Sequence, residues 1–299
     1  MQKSEIKKLI NTLSIKSQKR LGQYFLIDEK VVKKMIDAAN LSKKDIVLEI
    51  GPGFGILTKF LATKAKEVLA LEKDEKLCLY LSKKFKGYKN VRIICGDILR
   101  IPHFLFCSRK ESEAFVRFQS LDDVFRQNQY KIIANLPFYL TSHFLRLFLE
   151  MENKPSLMVL LIQKEVAKRI VAKPGKTSLL SISCQFYGQP EIVALVLRKA
   201  FYPVPDVDGA ILKIKVYPRP KFDIKDLKLF FRIIKAGFAG RRKQLHNTLA
   251  GGLQIPNKKI KEILISCKID PTRRAQTLSL SEWVKLYEKF EKLKTKKQR

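Results

Sequence analysis

Short apolar runs recur along the first two thirds of the chain, each closed by a turn signal and most followed by a helical pattern. Residues 46–50, 67–71, 91–95, 130–134 and 157–162 are the clearest. Runs of this length bounded by glycine, proline or asparagine read as buried strands. Near-continuous hydrophobicity marks a parallel sheet covered on both faces. Between them, residues 56–65, 74–85, 141–150 and 164–171 carry apolar side chains at helical spacing. Ahead of the first strand, Ile6, Leu9, Ile10 and Leu13 predict a short amphipathic helix, and Asp28 is placed to cap a helix carrying Val32, Met35, Ile36 and Ala39. Two more strands, 192–197 and 210–216, flank a rigid loop at 201–205. The pattern predicts an α/β, Rossmann-like domain with seven strands. After Pro218 and Pro220 the periodicity is helical only, at 227–238, 241–251, 258–267 and 280–293, with a polar tail predicted to fray. The domain division expected is therefore 1–219 and 220–299. Residues 102–129 hold Phe104, Phe106, Phe115, Phe118 and Phe125 among charges and predict a partly helical insertion packed on the sheet.

The strand ends carry the chemistry. The run at 46–50 ends in GPGFG at 51–55. Glycine lets a backbone approach a ligand where a Cβ would collide. The third glycine comes one residue too early for the dinucleotide fingerprint GxGxxG. Glu72 ends the next strand, 21 residues after Gly51. An acid about 20 residues beyond such a turn can accept hydrogen bonds from ribose hydroxyls. The turn holds no phosphate-binding lysine, and Glu49 just ahead of it would repel a pyrophosphate. These features favour a nucleoside with a cationic or zwitterionic arm, a description that S-adenosylmethionine (SAM) fits. Asp97, after the third strand, stands where an adenine amino group would be held. A glycine-lysine-threonine run, at 175–177, is no P-loop, because Ile170 occupies the position that needs glycine.

The fourth strand ends in Asn135-Leu136-Pro137-Phe138. Each residue suits a flat base with an exocyclic amine. The Asn135 amide offers an acceptor and a donor at one tip. Leu136 precedes a proline and so favours an extended backbone that can turn its carbonyl into the site. Pro137 stiffens the turn. Phe138 offers a ring for stacking, worth about 1–3 kcal/mol per base. The competing reading is a tight strand-to-helix turn with Phe138 in the core.

Charge sharpens the substrate. The 299 residues carry a formal net charge of +32. Such an excess points to a polyanionic partner, since Lys and Arg near phosphates release condensed counterions. In the helical region, Arg241, Arg242 and Lys243 open a helix, and Arg273 and Arg274 follow a later turn. The five cysteines form no CxxC pair and the three histidines do not cluster with them, so neither a zinc site nor a disulfide framework is expected. A reducing, cytoplasmic setting fits. No apolar run is long enough to span a membrane, and the basic segment 1–20 reads as part of the mature protein rather than a transit peptide.

Taken in order, LGQYFL at 21–26, LEIGPGFG at 48–55, ALEKD at 70–74, CGDI at 95–98, NLPF at 135–138, QKEV at 163–166, FYPVP at 201–205, RRKQLHN at 241–247 and RAQTL at 274–278 resemble the rRNA adenine dimethyltransferases. The resemblance is closest to the small-subunit, kasugamycin-resistance branch and runs from about residue 5 to 290. It implies a SAM-dependent enzyme, acting without a metal, that dimethylates two adjacent adenines in a hairpin loop near the 3′ end of small-subunit rRNA. It further implies that Gln23, Tyr24 and Leu26 close over SAM, that Gly51 lines its methionine end, Glu72 its ribose and Asp97 its adenine, and that Asn135 lies between cofactor and target. Asn135 and Leu136 would accept the two amine N–H groups while Phe138 stacks the base. Arg241, Arg242 and Lys243 would grip rRNA phosphates, and the protein would act as a monomer. The chain departs from the family pattern at Tyr24, usually Asn, at Phe138, often Tyr, at Lys176 and Thr177, often Tyr-Gly, and in the length of 97–135. The rivals are the large-subunit branch that confers macrolide resistance, a non-catalytic assembly or transcription factor of the same fold, and a DNA adenine methyltransferase. Leu136, where the last has proline, argues against it.

Overall fold

The computed structural model describes residues 3–13, 24–100 and 130–297. Gln23 and the 102–129 insertion therefore lie outside the described residues. In chain order come α1 (Lys3–Thr12), β1 (Phe25–Leu26), α2 (Glu29–Ala39), β2 (Ile46–Ile50), α3 (Ile56–Lys64), β3 (Glu67–Glu72), α4 (Glu75–Lys84) and β4 (Val91–Cys95). Then follow β5 (Tyr130–Asn135), α5 (Thr141–Glu150), β6 (Leu157–Gln163), α6 (Lys164–Ile170), α7 (Leu179–Tyr187), β7 (Gly188–Val196), β8 (Phe201–Tyr202) and β9 (Gly209–Val216). The last helices are α8 (Leu227–Gly237), α9 (Leu245–Leu253), α10 (Asn257–Ser266) and α11 (Leu280–Lys297). Asp28 caps α2 as the sequence suggests, accepting the Lys30 amide.

Seven strands form one sheet in the order β4-β3-β2-β5-β6-β9-β7, the seven-stranded α/β architecture read from the sequence. Strands β2 to β6 run parallel, and β9 is antiparallel to β6. β2 is buried along its whole length, which is why its pattern is continuous rather than alternating. The chain builds outward from β2 to β4, then returns to add β5 on the other side of β2. That reversal opens a crevice at the carboxyl ends of β2 and β5, where open α/β sheets bind ligands. A separate two-stranded ribbon pairs Phe25 with Tyr202 and Leu26 with Phe201.

By contact the chain divides into two units. One takes the residues up to Ala167 with Gln189–Pro218, and the other takes Lys168–Gly188 with the residues from Arg219 onward. The second cut falls beside the expected 219/220 division. Lys168–Gly188, expected in the first domain, groups with the helices instead. Its helix α7 escaped the sequence reading because LLSISCQFY has no polar face, and Ile182, Cys184, Phe186 and Tyr187 are all buried. Phe186 packs tilted against Phe230 with ring centroids 5.1 Å apart, and Phe230 meets Tyr287 edge-on. Trp283 packs where Gly237 leaves room; a Cβ there would come within 2.4 Å of its ring.

Three other expectations are corrected. Helix α9 begins at Leu245, so Arg241, Arg242 and Lys243 occupy the turn before it rather than its first residues. Helix α11 continues to Lys297, so the tail expected to fray is helical well past 293. Cys78 and Cys95, in a sequence expected to hold no disulfide framework, form a disulfide. Packing of α4 on β4 brings their Cα atoms to 5.9 Å, a proximity that no local pattern encodes. Among the described residues, no helix is long and apolar enough to cross a membrane.

Candidate active site

Strand register assembles the site. Ile50 of β2 lies beside Leu71 of β3 and Ala134 of β5, and Glu72 lies beside Cys95 of β4. The residues that follow these positions, Gly51, Asp97 and Asn135, therefore emerge with Glu72 at one edge. They line a cavity of about 400 Å³, a size ordinary for a small-molecule site. Tyr24, Leu26, Leu136 and Phe138 line it too. Every expected cofactor or base residue except Gln23, outside the described residues, is thus brought to one place.

The glycine turn is shaped by backbone as much as by space. Gly51 has φ +66°, a conformation that side-chain-bearing residues rarely adopt. A Cβ on Gly55 would sit 2.6 Å from the Phe85 ring. Behind the turn, the Lys84 ammonium donates to the Phe54 carbonyl at 2.7 Å, a support that sequence reading missed.

Glu72 is more than a ligand candidate. Its carboxylate accepts the backbone amides of Lys73 at 2.8 Å, Asp74 at 3.0 Å and Gly53 at 3.2 Å. It pins the glycine turn to β3. Burial pushes its carboxyl above the ordinary value, while the three amides pull it back down. Asp97 accepts the Leu99 amide at 3.0 Å and pairs with the Lys73 ammonium at 2.8 Å.

Glu49 is the other acid in the wall. It is 1% exposed, and its Oε2 has no hydrogen-bond partner among the described residues. Burial pushes it up to about 8; Glu72 adds to the rise and Thr58 opposes it. The sequence reading noted the sign of Glu49 but gave it no place in the site.

Asn135 is anchored. Its Nδ2 donates to the Tyr24 carbonyl at 3.0 Å. Tyr24 thus reaches the site with its backbone, which suits its departure from the usual Asn. Its ring tilts against Phe138 with centroids 5.4 Å apart. Phe138 is half-buried rather than in the core, which disfavours the bland reading of its ring. Leu136 is buried and its amide bonds the Leu161 carbonyl at 3.1 Å. Tyr139, not anticipated, lines the mouth at 59% exposure. Leu26 is held by its pairing with Phe201.

In the second unit Arg241, Arg242 and Lys243 are exposed, and among the described residues none is paired with a carboxylate. Arg273 differs. Its guanidinium binds Glu282 and the Thr277 carbonyl, so it braces the turn ahead of α11.

Solved structures share this architecture. A dimethyladenosine transferase from Plasmodium falciparum superposes with a TM-score of 0.71 at 23% identity, covering 90% of this chain and 98% of that one. The 23S rRNA methyltransferase ErmE superposes at 0.66 with 23% identity, covering 89% and 99%. In sequence, the Ribosomal RNA small subunit methyltransferase A of Dehalococcoides mccartyi is 44% identical over 95% of this chain and 91% of its own length. That of Pelotomaculum thermopropionicum is 39% identical over 95% of each. The family model described as Ribosomal RNA adenine dimethylase matches residues 14–291. With the anchored asparagine, the acids at the strand ends and the glycine turn in one cavity, and the family model spanning nearly the whole length, the chain belongs to the ribosomal RNA adenine dimethylase family.

Proposed function

We propose that this protein is a SAM-dependent methyltransferase that dimethylates the 6-amino groups of two adjacent adenines in a hairpin loop near the 3′ end of small-subunit rRNA, in the cytoplasm, during small-subunit maturation. The observation that carries the reading is the bond from Asn135 Nδ2 to the Tyr24 carbonyl. With its NH2 engaged, the amide keeps Oδ1 for an incoming N–H. Relatives of 37–44% identity bear the name of the small-subunit enzyme, which favours that branch over the large-subunit one.

The residues present fit SAM. Glu49 offers a buried carboxyl oxygen with no partner, suited to a cationic arm. Gly51 lines the methionine end, Glu72 takes the ribose, Asp97 the adenine, and Gln23, Tyr24 and Leu26 close the front. Bound SAM supplies an electrophilic methyl group. The chain's own residues do the rest. An adenine amine is a weak nucleophile because its lone pair is delocalised into the ring. Asn135 Oδ1 and the Leu136 carbonyl accept its two N–H groups and draw the lone pair out of the ring. Phe138 stacks the base and fixes its plane. Positioning of this kind is worth effective molarities of about 10⁵–10⁸ M. The base must leave its stack, which costs least in a loop. Exposed Arg241, Arg242 and Lys243 hold rRNA phosphates and set placement without reading bases.

The test is mass spectrometry of rRNA nucleosides after incubating the protein with labelled SAM and unmethylated small subunits. Two labelled dimethyladenosines per subunit are expected. Label confined to large-subunit RNA, or none, overturns the reading.

A further inference from the structure

Glu49 takes no part in the methyl transfer itself, yet it is more deeply buried than Glu72 in the same wall, 1% exposed against 7%. Its place leaves it short of donors. In the sheet it lies between Ala70 of β3 and Ile133 of β5, both apolar. From α3 Thr58 reaches it and favours the ionised form, while from the end of β3 it meets Glu72, another acid, which opposes ionisation. Glu49 is among the residues lining the cavity, and its buried Oε2 has no hydrogen-bond partner among the described residues. A buried carboxylate without donor or cation is costly, so such a group keeps its proton instead. The lysine that lines the cavity, Lys73, is paired with Asp97, and no cation is among the groups acting on Glu49.

We propose that Glu49 reads the positive charge on the arm of the methyl donor, releasing its own proton to solvent as that cation enters the cavity, so that donor binding is proton-linked. This rests on the SAM reading above. The balance is simple: neutral acid and cationic ligand become a carboxylate paired with that cation, and one proton goes to the buffer. An opposite charge close by favours the ionised acid.

The acid sits at about 8 in the free protein. At pH 7 it is then about nine-tenths protonated, and close to 0.9 proton leaves per donor bound. Affinity for SAM rises about tenfold from pH 6 to 7 and about fivefold from pH 7 to 8, and levels off above. A nucleoside without the charged arm gains nothing from ionising Glu49 and binds without this release. Glu72 shares the wall and is also raised by burial, so a variant at Glu49 is needed to assign the proton.

The experiment is titration calorimetry at pH 7 in phosphate and in Tris, whose ionisation enthalpies differ, using SAM and 5′-methylthioadenosine. Release of 0.7 proton or more is expected for SAM and under 0.2 for methylthioadenosine. Glu49→Gln is expected to abolish the SAM release and flatten the pH dependence. Equal release with both ligands, or undiminished release in a folded Glu49→Gln, overturns the proposal while leaving the cofactor reading intact. Absence of SAM binding by the wild type overturns both. Should the variant not fold, the two ligands compared on the wild type still decide.

Discussion

Replacing Glu72 tests whether one carboxylate both holds the glycine turn and receives a ligand. Glu72→Ala deletes the acceptor for three amides, those of Gly53, Lys73 and Asp74. A hydrogen bond to a charged group contributes about 1.5–3 kcal/mol net. The Gly53 bond is buried, whereas the other two are part-buried and can be replaced by water. Counting the first in full and the others at half gives roughly 3–6 kcal/mol by that scale. The desolvation that raises this acid offsets some of it, so the lower end, about 3 kcal/mol, is expected. That is a large share of a typical stability of about 5–15 kcal/mol. Glu72→Gln keeps an oxygen for Lys73 and Asp74 but turns NH2 toward the Gly53 amide, and costs about 1–3 kcal/mol. Urea unfolding of the ligand-free proteins, followed by circular dichroism, should rank wild type above Gln above Ala with unchanged slope. SAM affinity by calorimetry should fall in both, and the Gln variant reports the ligand contact more cleanly because its turn stays pinned. An alanine variant with the wild-type midpoint refutes the pinning, and a glutamine variant with wild-type SAM affinity refutes the ribose role.

Asn135→Ala should lower turnover on small subunits by about 10²–10³, the scale of losing one preorganised polar group, with SAM affinity changed far less; an equal fall in both would make it a cofactor residue. Phe138→Tyr should remain active and Phe138→Ala lose most turnover, since stacking needs only a ring; wild-type rates for alanine would return the ring to a packing role. Arg241→Glu with Arg242→Glu should abolish methylation of assembled subunits and spare SAM binding, and the salt slope of subunit binding should fall by about 0.7–0.9 per charge removed; an unchanged slope removes these residues from the interface. Glu49 also governs stability. Its folded value, about 8, lies above the ordinary 4.5, so its contribution is complete below pH 4.5 and is lost as pH rises through 8. At about 1.36 kcal/mol per unit the loss approaches about 5 kcal/mol, and the ligand-free Glu49→Gln protein should show a flatter stability profile between pH 5 and 9.

The sheet was legible because its strands are buried on both faces and their apolar runs end in glycine, acid or asparagine. Those ends carry the site, so Glu72, Asp97 and Asn135 could be named from spacing and the family motifs. What stayed hidden depends on contacts between distant residues. Nothing near Glu72 says that Gly53 donates to it, and nothing near Asn135 says that Tyr24 holds its amide. Helix α7 was invisible because its polar residues, Ser181, Ser183 and Gln185, alternate along the chain instead of falling on one helical face. Arg241 to Lys243 are good helix formers, and local preference misplaced the start of α9, whose first turn waits for Leu245. The Cys78–Cys95 bond joins a helix to a strand and leaves no mark at either position.

The ribbon of β1 with β8 sets a schedule for the newly made chain. Tyr24 to Leu26 form the front of the cavity, but Leu26 finds its partner only when Phe201 has been made. Asn135 and the acids are complete well before that. At about 5–20 residues per second, the stretch from Asn135 to Phe201 takes some seconds more to synthesise. The partner of the cavity-lining strand β1 is therefore made some seconds after the strand ends that carry Glu72, Asp97 and Asn135. Fragments ending short of residue 201 lack the partner of β1, so Phe25 and Leu26 have no strand to pair with.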